Sequence, residues 1–349
     1  MVGLRIDVLC NDGSPLGVTS KDLWGQGSRG VGVGGSEYAL LTMCEAWSAA
    51  GHRVRLYNDP INPRDTLFGQ FPKDSFDHRD KSRDVVINFR SPNEKTIVST
   101  GLKVWWSCDQ YTVNDYSKFA PHMDKIVCIS DFHTDYFKRM YNIHNAISID
   151  LPVRVHDFEN MPIEKVPYRL IFTSVPDRGL HYLRDVWTAI KNDVPDVSLV
   201  ITSDYRLWGL HEPRNERFRM SWIGLEDVTF LGAVPRATLI EEQLKADIYV
   251  YPNIYDELFC VSCAEAQACG AYPVTSGIGA LQTTNMGMII PGDPRDGRST
   301  FLKHFREEII ELLENRDLLE TEQLIVMEKA RERFNTNNIM KQWSEKVFE

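Results

Sequence analysis

The sequence predicts a parallel α/β protein built as two similar halves, and three observations carry that prediction. Short β-rich apolar runs alternate with helical stretches along the whole chain, which is the pattern of parallel sheets crossed by helices. The chain has 349 residues; at roughly 150 residues per domain this is room for two, each with its own core. A polar stretch punctuated by Pro152, Pro162 and Pro167 separates two sets of strands and reads as a hinge linker.

In the first half, strands are read at 5–9, 54–58, 85–88, 103–106, 125–129 and 146–149. The first clear helix covers 36–50, with Ser36 as its N-cap and Gly51 as its stop. Ser130 and Asp131 before a helical run read as another cap. His122 and His133 read as exposed loop residues with no partner visible in the sequence. In the second half the plan repeats, with strands at 168–173, 198–202, 228–231, 248–251, 272–275 and 288–290. Long amphipathic helices follow at 301–315 and 319–334, and 335–349 reads as a separate final helix. The expected domains are therefore 1–154 and 155–334.

Composition narrows the function classes. Hydrophobic residues make up 43% and charged residues 25%, which is ordinary for a globular protein. The net charge of −10 is unevenly placed: residues 1–154 hold 18 basic and 18 acidic side chains, so the excess lies wholly in the remainder. Overall acidity argues against a protein that coats nucleic acid. No apolar run approaches the roughly 20 residues of a membrane span, and 4–10 reads as a buried strand, not a leader. Seven cysteines scattered among apolar neighbours read as reduced core thiols in a cytoplasmic protein. Cys260 and Cys263 have one metal-like spacing, but no second pair or histidine follows, so no metal is expected.

The chemistry concentrates in Glu257-Leu258-Phe259-Cys260-Val261-Ser262-Cys263-Ala264-Glu265, which runs to Gly270 and a following strand. Two carboxylates stand eight positions apart, one in the turn that enters a small-residue helix and one on the helix itself. A helix N-terminus offers unpaired N–H groups and partial positive charge, which suit phosphate or sugar oxygens. Carboxylates at both places can take hydrogen bonds from two diols with a diphosphate between them, and that describes a nucleotide sugar. The segment resembles the Glu-x7-Glu signature of retaining family 4 glycosyltransferases. The resemblance implies that Glu257 holds the donor sugar and Glu265 the ribose, with Leu258, Phe259 and Cys260 lining the donor.

It further implies the GT-B architecture: two Rossmann-like domains facing across a cleft, an acceptor-side domain at 1–154 and a donor-binding domain at 155–334. The final helix, 335–349, would cross back onto the first. Gly34 and Gly35 match the Gly-Gly element that lets backbone approach the donor phosphates. Ser174-Val175-Pro176-Asp177-Arg178-Gly179 follows the first strand of the second half, where the family carries two basic residues. Only Arg178 is present, as a clamp on the departing diphosphate; the other position is Thr173 or Ser174. Ser203 and Val234 follow later strands and would line the nucleotide. Asp109, after the strand at 103–106, is a candidate contact at the reaction centre and equally a turn or capping residue.

A metal-independent glycosyltransferase using a UDP- or GDP-sugar is the function so implied. The acceptor stays open among glycan, small molecule, protein and modified DNA base. Two other readings stand beside it. Gly30, Gly32 and Gly35 satisfy G-x-G-x-x-G, with Asp59 as the ribose acid of an NAD-dependent oxidoreductase, although some twenty residues of loop separate them from the first strand. A non-catalytic sugar-nucleotide sensor is the other.

Overall fold

A computed structural model describes residues 3–10, 17–27, 30–63, 66–110, 115–208 and 213–349. Parts of the long loop 11–35, whose role as a lid the sequence suggests, lie outside the described residues. The chain divides into two compact units. The first comprises Met1–Arg29, Val33–Pro152 and Thr336–Glu349; the second comprises Gly30–Gly32 and Val153–Asn335.

In the first unit the elements run β1 (Arg5–Cys10), α1 (Ser20–Leu23), α2 (Gly35–Ala49), β2 (Arg53–Tyr57), β3 (Gly69–Phe71), β4 (Val85–Phe89), α3 (Glu94–Ile97), β5 (Leu102–Trp106), α4 (Tyr116–Phe119), β6 (Lys125–Cys128), α5 (Asp131–Tyr141) and β7 (Ala146–Ser148). The seven strands pair in parallel in the order β3-β2-β1-β4-β5-β6-β7. Strands β1 and β4 lie at the centre and are buried almost throughout, as strands covered on both faces must be. Strand β3 escapes the sequence reading because three residues beginning with Gly69 carry no apolar run.

The second unit continues with β8 (Arg169–Phe172), α6 (Leu180–Asp193), β9 (Ser198–Ile201), α7 (Arg214–Ser221), β10 (Val228–Phe230), α8 (Arg236–Lys245), β11 (Ile248–Tyr251), α9 (Val261–Ala268), β12 (Tyr272–Ser276), α10 (Leu281–Thr284), β13 (Met288–Ile290), α11 (Arg298–Glu314) and α12 (Arg316–Phe334). Its parallel sheet has the order β10-β9-β8-β11-β12-β13. One core joins the strands to Leu183, Trp187 and Ile190 of α6 and Phe305 and Ile309 of α11. Both sheets reverse strand order beside their first strand, and in open α/β sheets ligands bind outside the carboxyl ends at that point.

The chain closes with α13 (Thr336–Trp343) and a π turn at Ser344–Phe348, both in the first unit. Trp343 meets Trp47 of α2 edge-on at 5.1 Å and Trp106 of β5 at 5.2 Å, and Lys346 Nζ donates to the Ser148 carbonyl at 3.1 Å. Aromatic pairs in this geometry contribute about 0.5–1.5 kcal/mol beyond their buried area. The final helix thus returns to the first sheet, as the GT-B resemblance implies.

Three local expectations need correction. The N-cap of α2 is Gly34, not Ser36, because the helix begins one residue earlier at Gly35. His133 is fully buried in α5, where its Nδ1 accepts from the Ile129 N–H at 3.3 Å. Burial is the main cause of its pKa falling from 6.5 to about 3, and the Asp109 backbone opposes this only in part. The linker at 151–167 opens as packed structure: Leu151, Val153, Val155 and Phe158 are buried. Val153 N–H donates to the Phe334 carbonyl at 2.7 Å and bridges to Asn335. Apolar side chains alternate with Pro152, Arg154 and His156 there, which masks a buried face in a sequence that reads as polar.

Candidate active site

The loop after β11 delivers Glu257 to the carboxyl edge of the second sheet. Its backbone is fastened at several points: Asn253 Oδ1 accepts from the Tyr255 N–H at 2.8 Å, and Ala280 N–H donates to the Glu257 carbonyl at 2.7 Å. Gly279 is what permits that last approach. It sits at φ +64°, and a Cβ there would come within 2.4 Å of the Glu257 carbonyl oxygen. At the mouth of α9, Cys260 is the N-cap with φ 75°. A left-handed conformation at a residue with a side chain costs roughly 1–2 kcal/mol and persists only where surrounding structure enforces it. Leu258 and Phe259 supply that enforcement. Both are buried, and Phe259 packs edge-on to Phe334 at 5.5 Å.

Glu257 and Arg178, far apart in sequence, meet here. Arg178 ends a 3-10 turn after β8, and its Nη1 donates to Glu257 Oε1 at 2.9 Å. The following Gly179 (φ +117°) lets α6 begin against Pro252, since a Cβ would lie 2.2 Å from that carbonyl. The guanidinium also lies over the Tyr255 ring, 4.2 Å from its centroid. Tyr251 Oη donates to the same Glu257 oxygen at 2.7 Å and shares a hydrogen bond with Ser174 Oγ at 3.0 Å. Ser203 Oγ donates to the Ser174 carbonyl. The ends of β8, β9 and β11 are thereby linked through one polar network.

The electrostatics follow from this geometry. Burial, the largest single effect, pulls the Arg178 pKa down, but the Glu257 carboxylate together with Tyr251, Tyr255 and Cys260 outweighs it and the net direction is up. Arg178 therefore stays a cation, which a phosphate clamp must be. Burial, then the Glu257 charge, pushes the Cys260 thiol up to about 12, so at neutral pH it is a thiol and not a thiolate nucleophile. All seven cysteines are free and buried. Among the described residues no group of three or more His, Cys, Asp or Glu is placed to hold a metal ion.

Glu265 stands apart from that network. It lies on α9, buried, with Oε1 2.6 Å from Nη2 of Arg236 at the start of α8. Val234, just before α8, is half-buried, and its carbonyl accepts from the Gly32 N–H at 3.3 Å. Beside it Asp204 Oδ2 takes Arg206 Nε at 2.8 Å and the Ala233 N–H at 3.4 Å.

Gly34 and Gly35 open α2 in the first unit, and Asp109 follows β5 there. Asp109 is no free acid: its Oδ2 accepts from Arg90 Nε at 2.7 Å, and Arg90 Nη1 is 3.3 Å from Glu37 Oε1. Arg90 has φ 63° and is held by the Trp105 indole on its carbonyl at 2.7 Å and by its own N–H on the Trp106 carbonyl at 2.9 Å. Sequence reasoning missed Arg90, Glu37, Tyr251, Tyr255 and Arg236. Arg90 was the findable one, a charged residue directly after a buried, mostly apolar strand; Tyr251 hides inside its strand as one more apolar letter.

The dinucleotide alternative fits this geometry poorly. Helix α1 lies between β1 and the glycines, and Asp59 spends its carboxylate on the Lys73 backbone at 2.6 Å and its ammonium at 3.1 Å. The fold is that of the GT-B glycosyltransferases. It matches a glycosyltransferase from Rickettsia africae ESF-5 at TM-score 0.72 and 15% identity, over 99% of this chain and 98% of that one. HepE of Anabaena, solved with UDP and glucose, matches at 0.69 and 14%, over 99% of both chains. Sucrose-phosphate synthase from Thermosynechococcus elongatus matches at 0.70 and 16%, over 99% of both. No curated protein matches the chain in sequence. Residues 168–315 match the family model "Glycosyl transferases group 1", so the second unit carries a glycosyltransferase group 1 domain.

Proposed function

We propose that the chain is a retaining glycosyltransferase that moves a sugar from a UDP- or GDP-sugar to a hydroxyl acceptor. The observation that carries this reading is the Arg178–Glu257 pair at the entrance of α9, inside the segment that matches the group 1 model. A diphosphate at this edge finds a cation, and a sugar finds a carboxylate already oriented by Tyr251. In this reading the acceptor oxygen attacks the anomeric carbon as the carbon–oxygen bond to the diphosphate breaks. The acceptor proton passes to the departing diphosphate oxygen on the same face. Arg178 takes up the growing phosphate charge, Glu257 orients sugar hydroxyls and Glu265 holds ribose. The reaction so written asks for no metal. UDP and glucose in the Anabaena HepE structure make UDP-glucose the first donor to try.

No helix among the described residues is long and apolar enough to cross a membrane. The acceptor is a hydroxyl on a glycan, a small molecule, a protein or a modified DNA base. A panel of UDP-, GDP- and ADP-sugars scored by free-nucleotide release identifies the donor, and acceptor screening follows with the winner. Absence of both binding and release across the panel would sink the reading. Inverted anomeric configuration in the product, seen by proton NMR, would remove retention alone.

A further inference from the structure

The carboxylate assigned to ribose is itself held by a built device. Arg236 and Glu265 expose only 5% and 4% of their side chains, and Oε1 lies 2.6 Å from Nη2. On its other side Arg236 Nε is 3.5 Å from Oδ2 of Asp157, which also takes Arg154 Nε at 2.9 Å. Asp157 ends the 3-10 turn Val155–Asp157, in the segment that the sequence reads as linker. All four side chains belong to the second unit. The second oxygen of Glu265, Oε2, has no hydrogen bond among the described residues.

We infer that Arg236 is a positioning residue, pinned by Asp157, that presents Oε2 of Glu265 to a ribose hydroxyl and so makes the site select ribonucleotides over deoxyribonucleotides. The inference rests on the donor reading given above. A glutamate left to itself loses rotamer freedom when it orders around a ligand. One already clamped through Oε1 has lost that freedom in folding, so each hydroxyl it accepts contributes more to affinity. Because a carboxylate only accepts hydrogen bonds, it gains from a ribose hydroxyl and gains nothing where that hydroxyl is replaced by hydrogen. A purely structural clamp has no such preference. It would support ribose and deoxyribose ligands alike.

Calorimetry with UDP and GDP, each beside its 2′-deoxy and 3′-deoxy counterparts, reads the preference directly. The wild-type chain should bind the ribonucleotide about tenfold to a hundredfold more tightly than the analogue lacking the contacted hydroxyl. Glu265→Gln and Arg236→Gln should each shrink that ratio to within about threefold of unity, and the double variant should go no further, since coupled residues are not additive. Arg236→Lys should recover part of the ratio, and Asp157→Asn should lower it in part. Should Arg236→Gln fail to fold, the Lys and Asn variants carry the same test. Weaker binding of every ligand with the ratio intact would make Arg236 structural only and overturn the inference. A wild-type chain that binds neither nucleotide defeats the donor reading instead. One that binds both without preferring ribose removes Glu265 as the ribose ligand, and this inference with it.

Discussion

Each unit carries an arginine beyond the end of one central strand, Arg178 after β8 and Arg90 after β4, and the two are set differently. In the second unit Arg178 faces one carboxylate, a tyrosine hydroxyl on that carboxylate, and the face of Tyr255. In the first unit Arg90 lies between two carboxylates, Asp109 and Glu37. At Arg178 one guanidinium meets one carboxylate; at Arg90 one guanidinium meets two. A phosphate can enter the first by drawing Arg178 from Glu257, since both remain close and the aromatic face still holds the guanidinium. At Arg90 an incoming phosphate meets a second carboxylate, whereas a neutral hydroxyl finds an acceptor. On the proposed function, the difference favours anions at the second sheet's edge over the first.

The largest effect should come from Glu265→Ala. It takes the nearer of two carboxylates from the buried Arg236, and breaking a buried pair costs about 3–5 kcal/mol. Loss of the ribose contact should add a rise in donor KM. Thermal or urea melts alongside donor titration check both, and an unchanged nucleotide affinity would strike Glu265 from the site.

Arg178→Ala should follow, lowering kcat on the order of 10²–10³ and more than it weakens donor binding, by analogy with loss of one preorganised stabilising donor. Turnover near wild type would reduce Arg178 to a turn residue and erase the contrast with Arg90.

His133 sharpens the contrast through pH. Its folded pKa, about 3, lies below the unfolded 6.5, so between these values the unfolded chain binds the extra proton. Stability from this group is whole above about pH 6.5 and is lost as pH falls toward 3, with a slope of at most about 1.4 kcal/mol per pH unit. His133→Phe should flatten that limb of a pH–stability profile. An unaltered limb would show that acid sensitivity resides in other groups.

The smallest effect is expected from Arg90→Gln, about 1–3 kcal/mol of stability from carboxylates that lose the guanidinium, with nucleotide affinity unchanged. A fall in UDP or GDP affinity as large as that of Arg178→Ala would break the comparison outright.

Much of this was legible in the chain of letters. The strand runs at 85–88, 248–251 and 288–290 could be placed because a strand covered on both faces must be mostly apolar. Glu257 and Glu265 could be singled out because their spacing spans the start of a helix whose small residues announce close packing. Strand β3 could not be placed, since an edge strand three residues long buries too little to need a pattern. His133 was misplaced for a related reason: a lone polar letter does not reveal a buried imidazole whose Nδ1 accepts from the Ile129 N–H just before its helix.

The return of the final helix was implied only by the GT-B resemblance, whereas the sequence by itself determined the two sets of parallel strands and the identity of the chemical groups. Local periodicity and capping suffice for those, because each depends on neighbours within a few residues. Only the tertiary structure decided the partners. Arg178 and Glu257 are 79 positions apart, and Arg236 finds Glu265 and Asp157 from two different elements. Such pairings are set by which strand ends the sheet order brings side by side, and that order results from packing the whole unit around one core.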